Sequence, residues 1–145
     1  MAGAPPDHVG IDLVRAADRW ERLFKERMVA AGFPVIAEAR GRLIRFVGRE
    51  GILQADLVSA AGMSKQAVQK HLVALEADGL IWRDAVGSDR RARKIRFTEA
   101  GRRMIAAGDR IKGEIEVDLM RDVGPQAFRA FRQVLKSLGE NGQQD

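Results

Sequence analysis

Apolar residues recur at intervals of three and four through Leu13, Ala17, Trp20, Phe24, Met28 and Ala31, so residues 12–31 predict one long amphipathic helix that stops at Gly32. Pro34 then opens a second predicted helix to about Val47. Its apolar face is Ile36, Ala39, Leu43, Phe46 and Val47, and Arg42, Arg45 and Arg49 fall opposite as a solvated stripe. A short helix over Gln54–Ala60 closes at Ala61-Gly62-Met63, where Ser64 offers a hydroxyl to cap the next helix.

That next helix, Ser64 to Asp78, turns Val68, Leu72 and Leu75 inward at i, i+4 and i+7, which leaves Gln66, Gln69, Lys70 and Val73 facing outward. Gly79 suits the left-handed position after the helix, with Leu80 packing back on Leu75. Leu80–Val86 reads as a strand, Gly87-Ser88-Asp89-Arg90 as a turn, and Lys94–Phe97 as the returning strand. Thr98 caps a helix to about Arg121, striped by Met104, Gly108, Ile111, Ile115 and Leu119. Gly124-Pro125 begins a last helix whose apolar face is Phe128, Phe131, Val134, Leu135 and Leu138.

Helix, tight turn, helix and a basic hairpin together predict a mainly α fold with a small β-hairpin wing: a winged helix-turn-helix. A minimal version of that fold needs no long helices from both termini. They are therefore expected to form a helical dimerisation layer about a two-fold axis, rather than an extension folded back on its own core. The expected organisation is one domain over residues 11–140, with 34–98 as the winged helix and 11–33 and 99–139 as dimerisation helices. Residues 1–10 and 141–145 are expected to be disordered or frayed.

Charge sharpens the functional expectation. The chain of 145 residues carries a formal net charge of +5, and residues 81–96 hold six cations against two anions. Four of the five net charges therefore sit in the hairpin, which points to a polyanion. With no cysteine, the chain has neither disulfides nor thiolate zinc sites. The start lacks the basic and apolar regions of a secretory leader, and the longest mostly apolar stretch, residues 28–37, is broken by Gly32 and Pro34. A cytoplasmic protein without membrane partners is expected.

Residues 53–104 resemble the MarR family of winged-helix transcription regulators. The resemblance rests on Asp56-Leu57 with Ala61-Gly62-Met63-Ser64, on Val68, Leu72, Leu75-Glu76 and Gly79-Leu80-Ile81, and on Asp89, Arg91, Ile95, Phe97-Thr98 and Gly101 in that order and spacing. It implies a homodimer whose recognition helices enter successive major grooves of a pseudo-palindromic operator in double-stranded DNA, while the wings reach the minor grooves. On this reading Ser64, Lys65, Gln66, Gln69 and Lys70 meet phosphates or base edges. Arg91 is the wing arginine of the minor groove, oriented by Asp89, with Arg90 and Arg93 as phosphate anchors. Where the family often carries Thr-Arg, this chain has Gln69-Lys70, so its operator cannot be inferred from relatives.

The family also implies a ligand-responsive repressor that binds a small lipophilic anion. Trp20, Phe24, Phe33 and Phe46 are candidates for lining such a pocket, although aromatics at helical spacing more often belong to a core. His71 fits packing or a phosphate contact better than metal ligation, and no cofactor is expected. Among Glu114, Glu116 and Asp118, the pairs Arg110–Glu114 and Lys112–Glu116 read as surface ion pairs. An enzyme is disfavoured because the chain has no cysteine, tyrosine, glycine-rich phosphate loop or recognisable Ser/His/acid set, which leaves only a carboxylate-based hydrolase. A non-specific architectural DNA binder is the other alternative.

Overall fold

The computed structural model describes residues 7–140, without the side chains of residues 89–91. Five α-helices are present: α1 (Val9–Ala30), α2 (Gln54–Ala61), α3 (Lys65–Ala77), α4 (Glu99–Val123) and α5 (Pro125–Glu140). Three strands, β1 (Ile52–Leu53), β2 (Ile81–Val86) and β3 (Asp89–Phe97), form an antiparallel sheet in the order β1-β3-β2. The chain divides into two compact units, one up to Gly108 and one from Asp109 onward, so the boundary falls within α4.

In the first unit, Leu43, Leu57, Val68, Leu72, Leu75, Ile95 and Met104 are completely buried. Helix α3 is thereby fixed in rotation, with its Val68-Leu72-Leu75 edge inside as its spacing predicts. Its C-terminus closes as a Schellman motif. Gly79 takes φ 72°, its N–H donates to Glu76 O at 3.0 Å, and Leu80 N–H donates to Leu75 O at 3.1 Å.

The same two residues receive the start of α4. Thr98 N–H donates to Leu80 O at 3.0 Å and its hydroxyl donates to Gly79 O at 2.6 Å, while Thr98 Oγ1 accepts from Gly101 N–H at 3.0 Å. Gly101 packs so closely that a Cβ there would fall on the Leu80 carbonyl oxygen and crowd Phe97.

Residues 34–47 depart from the expected single helix. Pro34–Ala37 and Ala39–Phe46 are two separate 3₁₀ runs, broken by Glu38 in an extended conformation (φ −93°, ψ 162°). Gly41 permits this path by returning closely onto the Val35 carbonyl, an approach with no room for a side chain. The changed period buries Val35, Leu43, Ile44 and Val47, leaves Ile36 and Phe46 half-buried, and exposes Ala39. Arg42, Arg45 and Arg49 are exposed as expected.

Helix α1 starts three residues before the expected Asp12, and of its predicted stripe only Met28 is buried. Leu13 and Phe24 are half-buried, whereas Ala17, Trp20 and Ala31 are exposed. In the hairpin the turn is only Gly87-Ser88, with Gly87 at φ 64°, and β3 is longer than expected. The ladder slips near its end: Ala85 faces Arg93 but Val86 faces Asp89. Strand β1 was not anticipated, being too short to alternate; it exists through pairing of Ile52 with Ile95 and Leu53 with Lys94.

In the second unit, Ile111, Ile115 and Phe128 are buried. Arg110–Glu114 (2.8 Å), Arg121–Asp118 (3.2 Å) and Arg132–Glu116 (3.4 Å) are among its ion pairs to the acids singled out above. Phe131, Val134, Leu135 and Leu138 leave most of the apolar face of α5 exposed.

Two glycines of α4 separate close packing from helix propensity. Gly101→Ala is expected to destabilise the fold by about 1–3 kcal/mol through overpacking. Gly108→Ala, whose Cβ would meet nothing nearer than Phe24 Cζ at 3.6 Å, should be neutral or add up to about 1 kcal/mol. Urea unfolding of both variants measures the contrast, and equal effects would refute the Gly101 packing argument.

Candidate nucleic-acid interface

Helix α3 begins on Ser64, whose extended backbone (φ −62°, ψ 150°) lets its Oγ accept the Ala67 N–H at 3.1 Å. The cap fixes the first turn, and the buried edge fixes the rotation. Together they place Lys65, Gln66, Gln69, Lys70 and Val73 in solvent, while His71 is half-buried. Short α2 precedes it through Gly62 in the left-handed conformation (φ 60°), completing the helix-turn-helix.

The wing brings further groups to α3. Arg93, exposed and opposite Ala85, shares with Lys65 and Gln69 the lining of a polar cleft of about 550 Å³. Gln54, Glu76 and Arg83, none of them among the expected contacts, complete that cleft's polar groups. Glu76 lies two helical turns beyond Gln69, a spacing that places both on one side of α3. The side chains of Asp89, Arg90 and Arg91, named above as wing contacts, lie outside the described residues.

The hairpin's positive charge is less free than its count implied. Arg83 Nη2 pairs with Glu76 at 2.7 Å, and Arg96 Nη1 donates to the Glu50 carbonyl at 3.1 Å. Asp84 faces Lys94 across the strands. Two of the six cations therefore hold the fold together, and Arg93 is the exposed one among the hairpin cations whose side chains are described.

Trp20 and Phe24 stack with centroids 5.4 Å apart, while the Arg45 guanidinium lies over Phe46 at 5.0 Å. Phe33 is half-buried. A separate shallow hollow of about 470 Å³ beside α1 is lined by Asp18, Glu21, Arg22, Lys25, Glu26, Val29 and Ala37, and none of the four aromatics reaches it. Within it the Lys25 ammonium hydrogen-bonds Glu21 and holds that carboxyl below its ordinary range. Three acids against two bases make this hollow a poor seat for an anion. Among the described residues, no group of three His, Asp or Glu side chains could hold a metal ion, and no helix is long and apolar enough to cross a membrane.

A family model described as MarR family matches residues 36–92, from the 3₁₀ runs through the wing tip. The HTH-type transcriptional regulator PetP of Rhodobacter capsulatus is 34% identical over 104 residues, which is 69% of this chain and 61% of PetP. The match thus spans less than two thirds of that relative's length. Among solved structures, RV1404 from Mycobacterium tuberculosis superposes with a TM-score of 0.78 at 18% identity, covering 98% of this chain and 99% of that one. A variant of Staphylococcus aureus MepR bound to an oligodeoxyribonucleotide gives a TM-score of 0.65 at 17% identity, covering 95% of this chain and 100% of that one. These structural likenesses establish a shared fold.

Removing the cap tests how the outward face is held. Ser64→Ala is expected to lower stability by about 1 kcal/mol in chemical denaturation. An unchanged midpoint would remove Ser64 from the forces that position α3.

Proposed function

The chain belongs to the MarR family, and from that premise we propose that it is a sequence-specific regulator of transcription that binds double-stranded DNA as a homodimer. The observation that carries this reading is the outward row of α3, where Gln66, Gln69 and Lys70 stand exposed on a helix whose opposite edge is completely buried. A helix presenting amide and ammonium groups in this way suits a major groove, with a basic hairpin beside it. Ser64 and Lys65 at the helix start and Arg90 and Arg93 on the wing serve phosphates, and Arg91, steered by Asp89, serves the minor groove.

The homodimer is supported by the bare apolar stripe of α5, where Phe131, Val134, Leu135 and Leu138 are 39–57% exposed. Such a stripe in water favours a partner surface. A two-fold dimer gives the two copies of α3 a fixed separation, and an effector that alters it lowers DNA affinity reciprocally. This makes repression relieved by a small lipophilic anion the regulatory mode of the proposal. The stacked Trp20–Phe24 pair, Phe33 and Phe46 offer the apolar ring surfaces for that effector, whereas the acidic hollow beside α1 does not suit it.

Competition at fixed salt separates this function from architectural binding. Affinity for the selected operator should persist against excess random duplex, whereas equal competition by random DNA would refute sequence specificity. Light scattering after size exclusion should return a dimer at micromolar concentration; a monomer would refute the assembly. Arg91→Ala should weaken operator binding with little change in melting temperature, and normal binding would dismiss the wing assignment. Lys70→Ala should either relax base preference or flatten the salt dependence by about 0.9 per lost phosphate contact, and no change in either removes Lys70 from the interface.

A further inference from the structure

The cleft between α3 and β2 contains a chain of hydrogen bonds that converges on the amide of Gln69. Gln54 Nε2 donates to Gln69 Oε1 at 3.0 Å, and Arg83 Nη1 donates to the same oxygen at 3.1 Å. Arg83 is itself anchored, because its Nε and Nη2 both donate to Glu76 Oε2, at 3.1 and 2.7 Å.

The orientation of the Gln69 amide follows from this anchorage. A guanidinium has donors only, so the end of the amide that faces Arg83 must be its oxygen. With that oxygen fixed, Gln54 must turn its nitrogen toward it, and Gln54 Oε1 is left buried without a hydrogen-bond partner. An orphaned acceptor at the far end is what a chain of bonds dictated from the arginine end produces. Two donors occupy both acceptor positions of Gln69 Oε1, while its NH₂ group donates to no acceptor among the described residues.

We propose that Arg83 is a positioning residue that turns Gln69 into a donor-only reader of base edges. The inference rests on α3 being the DNA-reading helix. Glutamine recognises adenine through two bonds, its oxygen accepting from N6 while its nitrogen donates to N7. Here that oxygen is occupied, which excludes the adenine pairing. The remaining NH₂ group can donate to guanine N7 and O6 or to thymine O4, whereas at adenine it meets N7 alone and leaves the N6 donor unmatched. Arg83 thus acts on specificity without touching DNA, and its charge, held by Glu76, makes no phosphate contact.

Binding is measured on a panel of duplexes derived from the operator that the full-length protein selects, with each base pair varied in turn. Gln69→Ala identifies the base pair whose discrimination Gln69 provides. At that position the wild-type protein should prefer guanine or thymine over adenine by on the order of tenfold. Arg83→Met, which keeps the apolar stem and removes the donors, should raise adenine to parity or above at that pair alone. The slope of affinity against salt should stay at its wild-type value. Gln54→Ala, which frees one of the two acceptor positions, should shift preference in the same direction and covers the case that Arg83→Met does not fold.

Wild-type preference for adenine at the Gln69-dependent pair would overturn the proposal. A uniform loss of affinity across all bases in both variants, or a flatter salt dependence in Arg83→Met, would overturn it as well. Selection of an operator with no pair sensitive to Gln69→Ala would overturn this inference alone, whereas failure to select any operator would overturn it together with the DNA-reading role of α3.

Discussion

Complete burial of Val68, Leu72 and Leu75 is the constraint on which the remainder of the structure depends. Each residue of a helix turns by about 100°, so three buried positions at i, i+4 and i+7 leave α3 no rotational freedom. Truncating any one of them removes apolar contact worth about 2–5 kcal/mol. The outward placement of Gln66, Gln69 and Lys70 is therefore set by packing on the opposite side, and needs no interaction of its own. A face built this way can change its polar residues without loss of fold.

The second determinant is the junction at the end of that helix. Gly79 and Leu80 close α3, and their carbonyls then receive the hydroxyl and N–H of Thr98. One short segment thereby fixes where α3 ends, where β2 leaves it and where α4 begins. Gly101 permits the approach because it adds no side chain against the Leu80 carbonyl. From this junction β2 runs out beside α3, which is how Arg83 comes to lie within reach of both Glu76 and Gln69.

Features legible in the sequence were those decided locally. The Ser64 cap, the Gly79-Leu80 stop and the Thr98 cap involve partners within a few residues, and each was readable from residue type and spacing. The 3₁₀ runs over residues 34–47 were not legible, since the approach of Gly41 to a backbone oxygen within them leaves no mark on the period of side chains. Strand β1 escaped because two residues show no alternation. The apolar stripes of α1 and α5 were correctly read as helical, but periodicity does not say what covers a stripe, and half of the first and most of the second stay exposed. Arg83 was counted as a hairpin cation; its bonds span 7 and 14 residues between a helix and a strand, a relation that no local pattern encodes. The wing's Asp89, Arg90 and Arg91 remain assignments from family resemblance.

The central claim is that a pair of α3 helices held by two-fold symmetry reads DNA. Selection of bound duplexes from a random pool by the full-length chain tests it most directly, because it reports specificity, symmetry and spacing together. The account predicts an enriched pseudo-palindrome whose half-site centres lie about 34–36 Å apart, one turn of the double helix. A bound pool with no enriched sequence, or with a single half-site lacking a symmetric mate, would contradict it.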